Sequence, residues 1–205
     1  MPKISDEQRQ ARREQIIAAT WRCFSRKGIH ATSMDEIIRE TELSAGAVYL
    51  YYKSKDDLIL AAISIYMGKL RELLLLILTK EQALPPLVLV HEITSVIAQF
   101  TKRSGIDLNA IILMCWSEAK TNEQVKAEIS DFQFRYRASL TQIVAQWQKS
   151  GYLKSRAKPE DLAKVLLSFF YGFIVQSALL GELHPKTVVR GMEGLLTGLR
   201  PSPEL

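Results

Sequence analysis

The sequence predicts an all-α protein, and three observations support this prediction. Strand signals are absent along the whole chain. Capping residues stand at the start of several apolar segments of helical length. Glycine and proline separate these segments, at Gly28, Pro85, Pro86, Gly105, Gly151, Pro159, Pro185 and Pro201. Nearly everything between these breaks can be helical.

Four helices are predicted before the Pro85-Pro86 break, each with a start signal of its own. The first starts near Ser5, where Gln8 completes a capping box, and it ends before Gly28. Further caps are expected at Ser33 with Glu36, at Ser44, and at Ser54 with Asp57. The fourth helix runs about 25 residues at 1.5 Å per residue, which is long enough to join two domains.

Five further helices are predicted after the two prolines. They are expected near 87–103, 107–119, 122–150, 159–182 and 186–199. Thr121 with Gln124 is a cap for the third of them, and Pro159 suits the first turn of the fourth. We therefore expect two domains, at residues 1–53 and 54–205.

Composition is that of a globular protein with a modest excess of positive charge. The net charge is +5 and the isoelectric point about 9.2, which suits a polyanionic partner without proving one. Cys23 and Cys115 lie far apart and show no metal or redox spacing. This spacing gives no reason to expect a metal or a cofactor. The charged N-terminus lacks the apolar core of a signal peptide, so we expect a cytoplasmic protein.

The segment 33–58 has the pattern of a helix-turn-helix that binds DNA. Two short helices flank a tight turn, and the second starts with the small residues Ala45, Gly46 and Ala47. Small residues let a helix N-terminus approach base edges in the major groove, and the tyrosines and lysines that follow suit phosphates. A helical hairpin with a chance tyrosine-rich turn is the less economical explanation.

Residues 44–55 resemble the recognition-helix signature of the tetracycline-repressor (TetR) family of transcriptional regulators. The wider resemblance covers roughly residues 10–60, and the rest of the chain follows only the family's all-helical plan. The resemblance implies an N-terminal three-helix DNA-binding domain and a C-terminal helical domain for ligand binding and dimerisation. By position it implies a DNA-contacting set, namely Thr32, Ser33, Ser44, Ala45, Gly46, Ala47, Tyr49, Tyr51 and Lys55.

Glu42 departs from this pattern, because the family usually has a glycine in the turn between the second and third helices. A left-handed backbone there would cost glutamate about 1 kcal/mol relative to glycine. The base-reading positions also lack Arg, Asn and Gln. We therefore expect readout through thymine methyl groups, backbone approach and DNA shape.

Helix-turn-helix proteins read two half-sites, so a homodimer on a palindromic operator is expected. The segment 159–182 is apolar nearly all round, more than one monomer core needs. Glycines at i, i+3 and i+7 in the last helix suggest close packing, although a fraying terminal helix would also explain them. The predicted interface comprises Phe169, Phe173, Gly191, Gly194 and Gly198.

The 17 uncharged residues from Val165 to Gly181 are short for a membrane span and include three polar side chains, so no membrane partner is expected.

The middle helices are expected to enclose a pocket for a small, largely apolar effector. The candidate lining residues are Met67, Phe100, Met114, Trp116, Phe134, Trp147 and Phe170. At helical spacing each is more often a plain core residue than part of a ligand wall. The chain identifies neither the effector nor the operator.

An enzyme is not expected, since no nucleophile elbow, phosphate loop or paired-carboxylate helix occurs. The expected function is a ligand-responsive transcriptional regulator, most often a repressor in the family. The alternative is an all-helical small-molecule or lipid-binding protein without DNA binding.

Overall fold

The structure is a computed structural model that describes residues 5–103, 108–181 and 183–198, with the backbone alone at 101–103, 108–111 and 198. The described residues form helices and no strands, so the all-α prediction is confirmed. In chain order the helices are α1 Asp6–Lys27, α2 Met34–Thr41, α3 Ala45–Tyr51, α4 Lys55–Leu78, α5 Pro86–Arg103, α6 Leu108–Glu118, α7 Glu123–Ser150, α8 Pro159–Leu180 and α9 Pro185–Gly198. Two breaks named from sequence, Gly105 and Pro201, lie outside the described residues.

The chain divides into two compact units. Unit 1 comprises Met1–Lys69 and Ser104–Ser130, and unit 2 comprises Leu70–Arg103 and Asp131–Leu205. Helix α4 begins in the first and ends in the second, with the division between Lys69 and Leu70. Helix α6 belongs to unit 1, where it packs against α1.

Local capping explains where the first helices begin. Ser5 and Gln8 form the expected capping box of α1, and Ser33 and Glu36 form that of α2. Gly28 ends α1 at φ 80°, and its N–H donates to the carbonyl oxygen of Phe24 over 2.7 Å. These side chains satisfy backbone groups that a helix end leaves open, so the sequence fixes the helix bounds locally.

The core of unit 1 forms on the inner stripe of α1. The buried residues of this helix are Ile16, Ile17, Ala19, Thr20, Trp21, Cys23 and Phe24. Trp21 meets Phe24 and Tyr66 edge to face, with ring centroids 5.9 and 6.0 Å apart. Ile37 of α2, Val48 of α3 and Leu58 of α4 are fully buried, so each helix contributes an anchor to this core.

The predicted cap of α7 is wrong by one residue. Asn122 Oδ1 accepts hydrogen bonds from the N–H groups of Gln124 and Val125, at 3.1 and 3.2 Å. Thr121 instead donates its hydroxyl to the carbonyl oxygen of Glu118. Both residue types cap helices, and the turn that ends α6 takes the threonine hydroxyl first.

Unit 2 packs α5 against α8 and α9. The buried residues of α8 are Ala163, Leu167, Phe170, Phe173 and Ile174. Tyr136 of α7 meets Phe170 edge to face, with ring centroids 6.3 Å apart. By length and composition alone, α8 is the single helix in the described part of the chain that could cross a membrane.

Candidate DNA-binding site

Helix α3 presents the small residues of its first turn outward. Ser44 caps it by accepting the N–H of Ala47 at 3.2 Å, and Val48 anchors it in the core. Ala45 and Gly46 are exposed, and a Cβ built on Gly46 would meet no atom within 4 Å. Packing inside unit 1 therefore does not require glycine at position 46. The backbone at Ala45 and Gly46 is therefore accessible to another molecule.

Three tyrosines at the end of α3 have different environments. Tyr49 is 39% exposed, Tyr51 is half-buried, and Tyr52 is buried. Burial raises the pKa of Tyr52, and the charge of Arg13 opposes this in part. Tyr49 is therefore the most accessible phenol of the three, and Tyr52 serves the core.

Lys55 opens α4 and is held at the loop between α1 and α2. Its Nζ donates to the carbonyl oxygen of His30 over 3.2 Å. Ser54 and Asp57 cap the same helix end reciprocally, since Asp57 Oδ2 accepts from the N–H groups of Ser54 and Lys53. The ammonium group of Lys55 thus has a defined place and two remaining protons for a phosphate.

Thr32, one of the predicted DNA-contacting residues, turns its hydroxyl into the protein. Thr32 is 2% exposed, and its hydroxyl donates to the carbonyl oxygen of Gly28 over 2.8 Å. The only proton of this hydroxyl is therefore used inside the protein. Ser33 is exposed, but its N–H donates to Glu36 Oε2 at 2.9 Å. A phosphate that used this N–H would have to displace the carboxylate.

Glu42 adopts the left-handed conformation that its position in the turn implies. Its φ and ψ are 58° and 20°, and it is the one non-glycine residue with positive φ among the described residues. Thr41 accepts the N–H of Leu43 and donates to the carbonyl oxygen of Ile38. These two hydrogen bonds hold the turn in this conformation although no glycine is present.

Gln15 was not identified from sequence, yet together with Arg12 it ties α1 to the turn. Gln15 Nε2 donates to the carbonyl oxygen of Thr41 over 2.8 Å, and Arg12 donates to Gln15 Oε1 over 2.8 Å. Together with Ala47 and Leu50 they line an open groove of about 570 Å³ beside α3. A long polar residue on a helix carries no distinct pattern, so only the fold reveals this contact.

Three basic residues of α1 form ion pairs with carboxylates of α2. Glu40 pairs with Arg22 and Arg26, and Glu36 pairs with Lys27. The hydrogen bond from Arg26, followed by that from Arg22, lowers the pKa of Glu40 to about 2. Lys27, followed by the backbone of Ser33, lowers the pKa of Glu36 to about 2. These cations therefore brace α1 against α2 and are not free for a polyanion.

The seven predicted pocket residues are divided between the two units. Met67, Met114 and Trp116 belong to unit 1, and the others to unit 2. Phe134 contradicts the prediction, because its side chain is 64% exposed and Arg137 lies over the ring at 5.7 Å. Trp147 donates its indole N–H to the carbonyl oxygen of Leu84, which is a structural bond. Phe170 is fully buried, and Phe100 is half-buried.

The predicted interface residues also have different environments. Phe173 is 2% exposed and belongs to the core of unit 2, so its assignment to a dimer interface is wrong. Phe169 is half-buried, Gly191 and Gly194 are exposed, and Gly198 ends α9. The predicted interface set did not include the exposed apolar side chains of α8 and α9, namely Val165, Leu179, Leu180, Leu195 and Leu196. The uniformly apolar composition of α8 concealed which of its faces points outward.

Helix α3 is short and capped, presents small residues outward, and is anchored in the same core as α1, α2 and α4. This is the arrangement of a helix-turn-helix DNA-binding protein. Residues 16–62 match the family described as bacterial regulatory proteins, tetR family. Residues 94–200, about half of the chain, match the BetI-type transcriptional repressor C-terminal family. The chain belongs to the TetR family of bacterial regulatory proteins, as the sequence resemblance predicted. This is a family of transcriptional regulators, so the prediction of a non-enzyme is confirmed.

Individual relatives resemble part of this sequence or its fold. The regulator YerO of Bacillus subtilis is 44% identical over 57 residues, which is 28% of this chain and 20% of that protein. Salmonella enterica GusR superposes with a TM-score of 0.70 at 23% identity, over 96% of this chain and 100% of that one. Bacillus subtilis FadR, solved with stearoyl-CoA, gives 0.71 at 19% identity, over 91% and 99%. The two structural similarities concern the fold alone.

Proposed function

We propose that this chain is a homodimeric, cytoplasmic repressor that a small, largely apolar effector releases from a palindromic operator. The supporting observation is the outward face of α3, where a capped helix start carries exposed small residues beside Tyr49 and Lys55. Residues 1–53 would bind DNA, and residues 54–205 would bind the effector and the second subunit. The match to a BetI-type repressor domain supports repression.

Contacts to DNA would divide into two kinds. Ala45, Gly46 and Ala47 would approach base edges, where they have no donors or acceptors beyond the backbone. Tyr49, Tyr51 and Lys55 would hold phosphates, which fixes the register of α3 in the groove. Ser44 keeps its capping role, since its hydroxyl already accepts the N–H of Ala47. Thr32 and Ser33 would contribute at most backbone groups at the start of α2.

The second subunit would cover the exposed faces of α8 and α9. Val165, Phe169, Gly172 and Leu179 follow one another at intervals of four, three and seven residues, which puts them on one face of α8. Leu180 is 83% exposed, and Leu195 and Leu196 of α9 are exposed as well. Monomeric proteins rarely leave so many large apolar side chains uncovered. A dimer interface explains the apolar character of α8 without a membrane.

Effector binding would act through α4, the helix that carries Lys55 at its start and belongs to unit 2 at its end. FadR, which has the same fold, was solved with stearoyl-CoA. A ligand changes DNA affinity only by its different affinity for the DNA-binding and released conformations. We therefore infer that the effector binds the released conformation better and thereby alters the position of α3 through α4.

Fluorescence anisotropy with the DNA upstream of this protein's own gene tests the proposal, with a scrambled duplex alongside and a salt series for each. We expect selective binding with a steep negative salt slope, because phosphate contacts release counterions. Lys55→Gln should weaken binding and reduce the slope by about one phosphate. Lys149→Gln is the matched control, because it removes an exposed lysine near the end of α7.

Equal, weak binding to both duplexes, unchanged by Lys55→Gln and Tyr49→Ala, would contradict DNA recognition by α3. The chain would then be a helical small-molecule or lipid-binding protein that has lost DNA binding.

Analytical ultracentrifugation tests the dimer separately. Leu180→Glu should shift the protein to monomers, and Leu76→Glu on the exposed side of α4 serves as the control.

A further inference from the structure

Unit 2 contains a groove whose lining fits one class of small molecule. It lies between the last part of α4 and the first half of α7, and its cavity volume is about 110 Å³. Leu74, Leu78 and Phe132 supply apolar lining, and Arg71 and Arg135 supply two positive charges. We call these residues, together with Tyr136, the arginine groove. None of the seven effector-pocket residues predicted from sequence lines it.

We propose that the arginine groove binds a small amphipathic carboxylate, with the carboxylate at Arg71 and Arg135 and the apolar body on Leu74, Leu78 and Phe132. This inference rests on the proposed function, because it names the chemical class of the effector. Guanidinium groups match carboxylates in shape and charge and can hold them with two parallel hydrogen bonds.

The two arginines have donors to spare. Arg71 makes no ion pair or hydrogen bond with any residue in the described part of the chain. Arg135 pairs with Asp131 through Nε, at 2.9 Å from Oδ2. Its two terminal nitrogens make no bond within the described ranges, so they remain available. Asp131 lies one turn before Arg135 and offsets one of the two charges, which leaves the groove with net positive charge.

Charge and apolar lining together exclude other classes of ligand. A cationic ligand would meet two guanidinium groups and would have to expel Arg71 from the groove. An inorganic anion would leave Leu74, Leu78 and Phe132 uncovered and gain nothing from them. A neutral hydrocarbon would cover the leucines but would bury the arginine heads without a partner, which is costly. A carboxylate with an apolar body satisfies both halves of the lining.

Tyr136 lines the groove, but its hydroxyl belongs to the buried part of unit 2. This hydroxyl has no hydrogen-bond partner among the described residues. Because this hydroxyl is closed to solvent and lies near the phenol of Tyr171, a molecule in the groove does not need it for binding. Tyr136→Phe removes this group and leaves the ring in place.

Titration calorimetry on the full-length protein tests the groove, with sodium octanoate, 1-octanol and sodium phosphate as probes. We expect octanoate to bind at least tenfold more tightly than 1-octanol, and phosphate not to bind. Arg71→Gln and Arg135→Gln should each weaken octanoate at least tenfold. Arg156→Gln, an exposed arginine in the loop before α8, should change nothing. Tyr136→Phe keeps the ring and should leave octanoate affinity nearly unchanged, as should Tyr152→Phe at an exposed phenol.

Three results would overturn the inference: equal affinity for octanoate and 1-octanol, equal affinity for octanoate and phosphate, or octanoate binding that survives both arginine substitutions in folded variants. Circular dichroism establishes that each variant is folded. The DNA experiment separates this inference from the proposed function. Arginine-dependent octanoate binding by a protein that ignores its operator would support the groove and contradict the repressor. Selective DNA binding without arginine-dependent octanoate binding would do the reverse.

Discussion

The indole Nε1 of Trp147 donates a hydrogen bond to the carbonyl oxygen of Leu84 over 2.7 Å. The preceding residue of α7, Gln146, accepts the N–H of Ala83 at 3.0 Å. Two consecutive residues near the end of α7 therefore bind the backbone of the segment that leads from α4 to α5. Trp147 is 3% exposed, so this bond is shielded from water. The tryptophan fastens a connection within unit 2 instead of lining a ligand site.

Trp147→Phe should lower the stability of the protein. It keeps an aromatic ring but leaves the Leu84 carbonyl without its donor, and an unsatisfied buried group costs about 1–3 kcal/mol. Urea unfolding monitored by far-UV circular dichroism measures this loss. Gln142→Ala on the exposed side of α7 is the control and should stay within about 0.5 kcal/mol of the parent. Unchanged stability with weakened effector binding would restore Trp147 to the pocket.

Glu42→Gly should stabilise the protein by about 1 kcal/mol. Glu42 has φ 58° and ψ 20°, a conformation that glycine adopts without the penalty of a Cβ atom. Glu42→Ala is the matched control, because it removes the carboxylate and keeps the Cβ, so it should give no gain. Chemical denaturation of the three proteins decides between backbone strain and charge. Equal stabilisation by both variants would show that charge, not φ, is the cause.

Gly46→Ala should change stability and DNA affinity in opposite directions. Alanine favours a helix over glycine by up to about 1 kcal/mol, and a methyl group here meets no atom within 4 Å. Folding should therefore tolerate or prefer the change, whereas a base edge approaching the backbone would clash with it. Thermal unfolding and operator anisotropy measure the two effects. Tighter or unchanged DNA binding by a stabilised variant would remove Gly46 from the DNA interface.

The helices could be predicted from sequence because their ends depend on neighbouring residues. Ser5, Ser33, Ser44 and Ser54 cap within three residues of themselves, so no knowledge of the fold was needed. The turn at Glu42 followed from the family resemblance for a similar reason, since it is set by one residue's backbone.

The candidate site was less predictable because it depends on tertiary environment. Thr32 has the right residue type for a phosphate contact, but folding turns its hydroxyl to Gly28. Phe173 and Val165 are alike in composition on α8, yet one is buried in the unit and the other is exposed. The spacing of apolar residues identifies the buried face of a helix only if the opposite face is polar. In α8 both faces are apolar, so the sequence does not distinguish them. Arg71 and Arg135 lie 64 positions apart, so only the fold reveals their common groove.

The two cysteines should resist thiol reagents in the folded protein, Cys115 more than Cys23. Burial raises the pKa of Cys115 to about 12, so the reactive thiolate is scarce at pH 8. Burial also raises the pKa of Cys23, against the opposing charge of Arg26. We expect slow labelling by Ellman's reagent, with Cys23 first, and rapid reaction of both thiols in urea. Cys23→Ser and Cys115→Ser assign the two phases. Rapid labelling of Cys115 in buffer would contradict its burial.

Acid should weaken the contact between α1 and α2 through Glu36 and Glu40. Their ion pairs lower both pKa values from the ordinary 4.5 to about 2 in the folded protein. Because the ionised form is favoured by folding, the stabilisation is fully present above pH 4.5 and is lost as the pH falls from 4.5 towards 2. Glu40→Gln should therefore be less stable than the parent at pH 7 and should lose less stability over this acidic interval. Urea unfolding at a series of pH values measures both effects, with Glu81→Gln, an exposed carboxylate without an ion pair in the described structure, as the control. Parallel curves for Glu40→Gln and the parent between pH 4.5 and 2 would show that Glu40 does not stabilise the fold through its charge.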